Sequence, residues 1–200
     1  MKNSGAYIFR PSTSDPEMEV IPYSFGAAKF INTSVGMEVH VGFGVPWLRQ
    51  VTRVMNGQPF IEIEYSIGPV PIEDGRGKEI VSRLSTSIQS SGIFYTDSNG
   101  REFLERRRDY RPSWPLKVFE PVAGNVYPVN AAVYIEDQKQ GTSLSVVVDR
   151  ALGGASLTDG SLDLMVQRRI IADDDRGVSE PLNETVGGGI TPCSPFGNAE

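Results

Sequence analysis

Apolar and polar residues alternate along several stretches of the chain. In VGMEVHVGF (residues 35–43) every second position is apolar, and Glu38 and His40 lie between them. In FIEIEYSI (residues 60–67) the same period separates isoleucine and tyrosine side chains from two glutamates. A period of two residues is typical of a strand with one buried face. The pattern therefore predicts a β-strand in each stretch.

A β-hairpin is predicted over residues 92–106. Its centre is the pair Asn99-Gly100, which favours the left-handed backbone of a tight turn. No comparably long stretch shows a 3.6-residue period, and turn signals such as Asn-Gly, Asp-Gly and Gly-Gly divide the rest of the chain. Together these features predict an all-β protein, an antiparallel β-sandwich. Further strands are predicted in VYPVNAAVYI (126–135), SLSVVVD (143–149) and SLDLMVQRRII (161–171).

The length and composition suit one domain. The chain has 200 residues, of which 39% are hydrophobic, enough to bury a sizeable core. No internal repeat or Pro-rich or charged linker divides it. Residues 187–200 lack strand alternation, so we predict one β-sandwich domain over residues 1–186, followed by a flexible or aberrant tail.

The charge balance argues against two classes of partner. Asp and Glu number 25 against 19 Lys and Arg, which gives a net charge of −6 and disfavours binding to nucleic acid or to an anionic membrane surface. No apolar run approaches the roughly 20 residues that a membrane helix needs. The first residues lack the hydrophobic core of a signal peptide, so we expect a chain without its own export signal.

Catalytic and metal-binding side chains are scarce. His40 and Cys193 are the only histidine and cysteine, so an internal disulfide and a multi-cysteine zinc site are excluded. No serine motif accompanies His40, and nothing indicates a Ser-His-Asp arrangement. We therefore predict no catalytic residue and no metal ligand in this chain.

Two acidic motifs have simple structural explanations. A glycosidase needs two carboxyl groups about 5 to 9.5 Å apart around a bound sugar. Glu62 and Glu64 instead lie on the polar face of a predicted strand, and we interpret them as a solvated face. The segment TDSNGRE (96–102) resembles the start of a calcium loop, but it lacks EF-hand spacing and is better explained as the hairpin turn.

A basic cluster surrounds Asp109. It comprises Arg106, Arg107, Arg108 and Arg111, and Tyr110 and Trp114 lie close by in the sequence. Internal salt bridges are the leading interpretation, with residues 173–175 (DDD) as the natural counter-charge. The alternatives are that the cluster binds phosphate, pairs with an acidic domain or stacks under a sugar.

An ordered series of motifs resembles the C-terminal half of lysosomal-type α-mannosidases, the glycoside hydrolase family 38 enzymes, and their vacuolar or lysosomal branch in particular. The motifs cover most of residues 4–186 in the expected order. They are SGAYIFRP (4–11), QVTRV (50–54), IEIEYSIGPVP (61–71), FYTDSNGREFLERRRDYRPSW (94–114), PVAGNVYPVN (121–130), VDRALGGASLTDGSLDLMVQRR (148–169) and DDDRGVSEPLNET (173–185).

The resemblance implies a specific role for the chain. It implies a retaining exo-mannosidase that cleaves terminal α-D-mannosides of glycoprotein glycans, with its zinc and catalytic aspartates in an N-terminal α/β domain. This chain would then be the non-catalytic β-sandwich portion, of galactose-mutarotase-like fold, and that catalytic domain would be its partner. The implied location of the parent enzyme is the lysosome or vacuole, or outside the cell.

The resemblance also implies site residues. The tyrosine of SGAY, here Tyr7, and the arginine of DD-x-RG, here Arg176, approach the bound mannose or support the domain interface. A tyrosine offers one hydroxyl to a sugar oxygen, and a guanidinium presents a planar fork of donors. Asp174 and Asp175 would hold Arg176. Sequons at Asn32 and Asn183 predict N-glycosylation.

Two other functions stay open at this point. The first is a stand-alone carbohydrate-binding β-sandwich that uses Tyr110 and Trp114. The second is a structural domain whose arginine and aspartate clusters bind a partner.

Overall fold

The computed structural model describes residues 4, 8–11, 28–175, 177 and 179–183. The chain divides into two compact units, one of residues 1–18 and 75–183 and the other of residues 19–74 and 184–200. All strand pairings in the described ranges are antiparallel. None of the helical structure described there is long and apolar enough to cross a membrane. The single domain over residues 1–186 stays a prediction, and the tail at 187–200 lies outside the described residues.

The smaller unit is a four-stranded meander, here called the sheet unit. Its strands are paired in the order β1-β2-β3-β4. The predicted strands at 35–43 and 60–67 are confirmed as β2 and β4. Gly36 is required at the start of β2, because a Cβ there would lie 2.3 Å from the carbonyl oxygen of Val54. The strands are β1 Lys29–Thr33, β2 Gly36–Gly42, β3 Leu48–Met55 and β4 Ile61–Ile67.

The larger unit, the sandwich unit, contains two four-stranded sheets. One has the strand order β10-β9-β6-β7 and the other β5-β12-β11-β8. The only regular helical turn described in this unit is a 3-10 turn over Ala123–Asn125. The strands are β5 Lys78–Ser85, β6 Ile93–Asp97, β7 Phe103–Arg107, β8 Tyr127–Val129, β9 Ala132–Asp137, β10 Thr142–Val147, β11 Leu152–Ala155 and β12 Ser161–Arg169.

The core of the sandwich unit lies between its two sheets. Phe94 and Ile135 of one sheet pack in one cluster with Val129 and Leu162 of the other, and all four are fully buried. Removing such a side chain from water contributes about 1.5–3 kcal/mol to folding. The predicted β-sandwich is confirmed.

The predicted hairpin is also confirmed, as β6 and β7. Asn99 and Gly100 have φ values of 52° and 69°, so the turn has the left-handed backbone that this residue pair favours. Asp97 ends β6 and is buried. Its Oδ2 accepts the N–H of Gly100 at 2.8 Å, which ties the carboxylate to the turn.

Asp97 also joins the hairpin to the following corner. Its Oδ1 accepts the backbone N–H groups of Asn130, Ala131 and Ala132 at 2.8–3.1 Å. Burial alone would raise the pKa of Asp97, but the backbone donors outweigh it and lower the pKa to about 2. The same corner divides the predicted stretch 126–135 into β8 and β9, which belong to different sheets.

Candidate functional site

The two segments that carry the predicted site residues lie in the sandwich unit. Tyr7 and Arg176 themselves lie outside the described residues. Their neighbours are described, namely Ser4 and residues 8–11 on one side and residues 173–175 with Gly177 on the other. The geometry of these neighbours shows how the two segments are positioned.

An ion pair joins the two segments. Arg10 Nη1 lies 4.0 Å from Asp174 Oδ2, and the Asp174 side chain is only 3% exposed. Arg10 Nε donates a hydrogen bond of 2.8 Å to Glu120 Oε2. A buried carboxylate is costly unless a cation compensates it, and a permanently charged guanidinium suits two carboxylates at once. Arg10 therefore holds the N-terminal segment against the acidic turn.

The Ser4 side chain contacts the backbone of Arg10. Its Oγ accepts the backbone N–H of Arg10 at 2.8 Å. The same hydroxyl lies 3.1 Å from the Arg10 carbonyl oxygen and 3.0 Å from Glu79 Oε2, and its single proton can serve either acceptor. The Ser4 hydroxyl thus joins Arg10 to strand β5.

Two neighbouring strands anchor this segment. Glu79 of β5 lies directly opposite Arg168 of β12 and forms an ion pair with it. Arg168 Nη2 also donates to the Ile8 carbonyl oxygen at 3.2 Å. Burial raises the pKa of Glu79, and it outweighs the lowering effects of Arg168 and Ser4. A mostly buried carboxyl group therefore sits directly under the N-terminal segment.

The three aspartates form a turn rather than the end of a strand. Asp175 has a left-handed φ of 57°, and its N–H donates to Asp173 Oδ2 at 2.9 Å. Aspartate tolerates this conformation and stabilises such turns with its own carboxylate. Asp174 points inward to Arg10, whereas Asp175 is exposed. That Asp174 and Asp175 hold Arg176 stays a prediction.

The family model described as "Glycosyl hydrolases family 38 C-terminal domain" matches residues 1–176 of the chain. The chain belongs to glycosyl hydrolase family 38. The predicted resemblance is therefore confirmed.

The curated relatives of this family 38 chain are much longer than the chain itself. The lysosomal alpha-mannosidases of Cavia porcellus and Homo sapiens are both 52% identical to it, over 187 and 186 residues that make up 93% and 92% of this chain. An alpha-mannosidase of Canavalia ensiformis is 47% identical over 186 residues, 92% of this chain. In each case the match covers 18% of the relative. The chain thus spans about a fifth of their length.

The predicted salt bridges of the arginine cluster are not found within the described part of the family 38 chain. Arg106 lies 4.6 Å from the Tyr127 ring centroid and donates to Thr96 Oγ1. Arg111 lies 4.8 Å from the same centroid and donates to Tyr127 Oη and the Gly124 carbonyl oxygen. An aromatic face attracts a guanidinium, so rings and carbonyl oxygens replace the expected carboxylates. The predicted network with residues 173–175 is therefore wrong for these residues.

The remaining arginines of the cluster have different partners. Arg107 lies 5.2 Å from the ring centroid of Tyr110. Arg108 Nη1 donates to the Ser156 carbonyl oxygen at 3.3 Å. Burial raises the pKa of Tyr127, and the charges of the two guanidinium groups beside its ring oppose this shift. The cluster therefore packs against rings and backbone around the end of β7.

Glu62 and Glu64 of the sheet unit were predicted to form a solvated strand face. Glu62 is exposed, whereas Glu64 is half-buried and forms an ion pair with Arg53. Arg53 bonds Glu38 Oε1 at 2.9 Å and Glu64 Oε2 at 2.7 Å, and His40 Nε2 lies 2.8 Å from Glu38 Oε2. Hydrogen bonds from His40 and then Arg53 lower the pKa of Glu38. In the described ranges, no three His, Cys, Asp or Glu side chains are grouped to hold a metal ion. Cys193 lies outside those ranges.

Both sequon asparagines are accessible. Asn32 lies on strand β1 and Asn183 near the end of the described chain, and both are exposed. Exposure is a requirement for glycan attachment, and glycosylation at these positions stays a prediction.

Sequence reasoning missed most of the residues that build this site. Arg10 and Arg168 stand inside the quoted motifs, but their partners Glu79 and Glu120 lie far away in sequence. The one local signal was weak: in KEIV (78–81) Glu79 directly precedes two apolar residues on a strand, where a buried carboxylate needs a cation.

Proposed function

We propose that this chain is the non-catalytic C-terminal β region of a zinc-dependent retaining α-mannosidase that hydrolyses terminal α-D-mannosides of glycoprotein glycans. Family membership and the names of the relatives support this proposal. The region completes the rim of an active site that lies mainly in the N-terminal catalytic domain of the longer protein.

The contact between Arg10 and Asp174 is the observation that carries the proposal. It joins the SGAYIFRP segment to the DDDRG segment, so the positions of Tyr7 and Arg176 belong to two segments that meet. A tyrosine hydroxyl and a guanidinium are suited to the hydroxyl groups of a sugar. Each also serves a domain interface, where Arg176 would pair with carboxylates of the catalytic domain.

Zinc would be held by the catalytic domain. The described residues of this chain do not fit a zinc site, because their only histidine, His40, is hydrogen-bonded to Glu38 on a strand face and three grouped ligands are lacking. The chain's own contribution is to position sugar-binding and interface residues beside the reacting centre.

The proposed location of the parent enzyme is the lysosome or vacuole. The names of the animal relatives support it. The exposed sequon asparagines Asn32 and Asn183 are consistent with a chain that passes through a glycosylating compartment.

Substitutions in the longer protein that contains this chain test the site. Arg176→Ala should lower kcat/KM for an α-mannoside by about tenfold or more, because a charged hydrogen-bond donor would be lost from the sugar or the interface. Arg150→Ala is the matched control, since Arg150 is an exposed arginine that pairs with its neighbour Asp149. Unchanged kinetics and stability in Arg176→Ala would remove Arg176 from both roles.

A second candidate function is a stand-alone carbohydrate-binding module. Tyr110 and Trp114 are 49% and 56% exposed and line one open groove formed by residues 109–116. Exposed aromatic rings beside a groove are suited to stacking on sugars. Calorimetric titration with mannose oligosaccharides discriminates the two functions, since only the module requires binding that is lost in Trp114→Ala.

A further inference from the structure

A platform of aromatic rings lies on the outer face of one sheet of the sandwich unit. Tyr95 of β6 and Tyr134 of β9 are stacked, with ring centroids 4.4 Å apart and an interplanar angle of 9°. Phe103 of β7 packs edge-on to Tyr134 at 5.0 Å and is 48% exposed. None of these rings belongs to the two buried cores. The platform is formed by three adjacent strands, so its position is fixed by the sheet.

Carboxylates flank this aromatic platform. Glu105 lies opposite Tyr95 on β7, and Glu136 is two residues from Tyr134 on β9, so both share the face of the rings. Burial raises the pKa of Tyr95, and the charges of Glu136 and Glu105 raise it further. The rings are therefore bordered by acceptors of hydrogen bonds.

The platform leads into a cavity at one end of the sheet. The cavity has a volume of about 460 Å³, and Tyr95 and Glu136 are shared between it and the platform. Two loops form its other walls and contribute Gln89, Ser91, Gln138, Lys139 and Gln140. The side-chain amide of Gln138 donates to Glu136 Oε1 at 3.3 Å, and that of Gln89 donates to the Ser87 carbonyl oxygen at 3.2 Å. The volume lies in the range of small-molecule sites.

Buried or anchored aspartates hold both loops of the cavity. Asp159 Oδ1 accepts the Ser90 hydroxyl and the Gly92 N–H, both at 2.9 Å. Asp137 is buried, and its Oδ1 accepts the N–H groups of Lys139 and Gln140. Loops that are fixed before binding lose little conformational freedom when a ligand arrives. The cavity walls are thus preorganised.

We infer that this cavity and the aromatic platform together bind a neutral oligosaccharide, at a site separate from the Arg10–Asp174 contact. A sugar ring stacks its C–H face on an aromatic ring, and its hydroxyl groups donate to Glu136 and Glu105 and bond the glutamine amides. Glu105, Glu136 and Asp137 outnumber the single ammonium group of Lys139 around the site, so an anionic sugar would be repelled and an uncharged ligand is favoured. The site would hold a glycan without cleaving it.

An NMR titration of the isotope-labelled chain tests this inference directly. The probes are a linear α-linked mannopentaose and, for comparison, cellopentaose, each to about 10 mM, a concentration that detects millimolar affinity. The test rests on the proposed function only in the choice of a mannose oligosaccharide as one of the probes. Shifts that cluster at Tyr95, Tyr134 and Gln138 with either probe support the site. The absence of saturable shifts with both probes overturns it, whatever the outcome for the proposed function.

Three variants complete the test. Tyr134→Ala should weaken binding by about tenfold or more, in line with the loss of a central aromatic contact. Glu136→Gln keeps the size of the side chain and should weaken binding by a smaller factor. Phe119→Ala removes an exposed ring elsewhere and should leave affinity unchanged. Binding that survives in both platform variants, or that is lost in Phe119→Ala, contradicts the inference. Backbone amide shifts of each free variant identify any that fails to fold, and Glu136→Gln then decides.

Discussion

Arg10 and Asp174 form a contact between the two ends of the sandwich unit, with Arg10 Nη1 lying 4.0 Å from a carboxylate that is 3% exposed. Glu120 shares the same guanidinium. Because Asp174 is buried, the loss of Arg10 would leave a charge without its compensating cation. The contact is therefore expected to support both stability and the position of the neighbouring site residues.

Replacing Arg10 should be more harmful than replacing its partner by a neutral isostere. Arg10→Ala is expected to lower the free energy of unfolding by about 3 kcal/mol, as for other broken buried ion pairs. Asp174→Asn should cost less, because no buried charge remains unpaired. Urea unfolding of the two variants measures the difference. Equal losses would indicate that the pair acts through packing and not through charge.

The stability of the chain should depend on the protonation of Glu79. Burial raises its pKa in the folded state above the ordinary value of 4.5, so the native state binds more protons than the unfolded state between these two values. The contribution of Glu79 is therefore fully present below pH 4.5 and is lost as the pH rises through the raised pKa. In Glu79→Gln, stability should therefore depend less on pH in this range. Urea unfolding midpoints of the wild type and the variant, measured at several pH values, test this. An equal dependence of the midpoint on pH in both proteins would show that Glu79 does not contribute.

Ionisation of Asp97 should increase stability as the pH rises, which is the opposite of the effect of Glu79 and occurs at lower pH. Its pKa falls from 3.8 to about 2 on folding, so its contribution is present above pH 3.8 and is lost as the pH falls towards 2. Asp97→Ala removes the acceptor of four backbone N–H groups and should cost about 2–4 kcal/mol at neutral pH. Asp97→Asn keeps one oxygen for three of these donors and should retain part of the stability. A variant as stable as the wild type at pH 6 would contradict this assignment.

The sandwich core predicts a sharp contrast between two phenylalanines. Phe94 is fully buried, and Phe94→Ala is expected to destabilise the chain by about 3–5 kcal/mol. Phe119 is 79% exposed, so Phe119→Ala should change stability by no more than about 0.5 kcal/mol. Thermal and urea unfolding of the pair test whether the core lies between the two sheets.

Sequence patterns predicted the strands with one clearly apolar face. Strands β2, β4 and β6 alternate regularly, and a pair of left-handed residues marks the hairpin. Strand β11 was missed because LGGA shows no alternation: a Cβ on Gly154 would lie 2.6 Å from Val129 Cγ2, so neighbouring side chains fill the space where its own would be. Glycine in a strand then signals a close approach that only the fold reveals.

The site was less predictable than the fold. Family motifs point to Tyr7 and Arg176, but no local pattern pairs Arg10 with Asp174 or Arg168 with Ile8. The residues in each of these contacts are distant in sequence, so they come together only in the folded structure. The arginine cluster was interpreted as ionic for the same reason, whereas its neighbours in space are rings and carbonyl oxygens.

We infer that the catalytic groups of the α-mannosidase that contains this family 38 chain lie in another domain. A chromogenic α-mannoside assay with added zinc tests this inference, using the purified chain alone and together with a separately produced N-terminal domain of the longer protein. No turnover is expected for the chain alone, and turnover is expected when both parts are present. Turnover by the chain alone, or full activity of the N-terminal domain without it, would show that the chain does not have this supporting role.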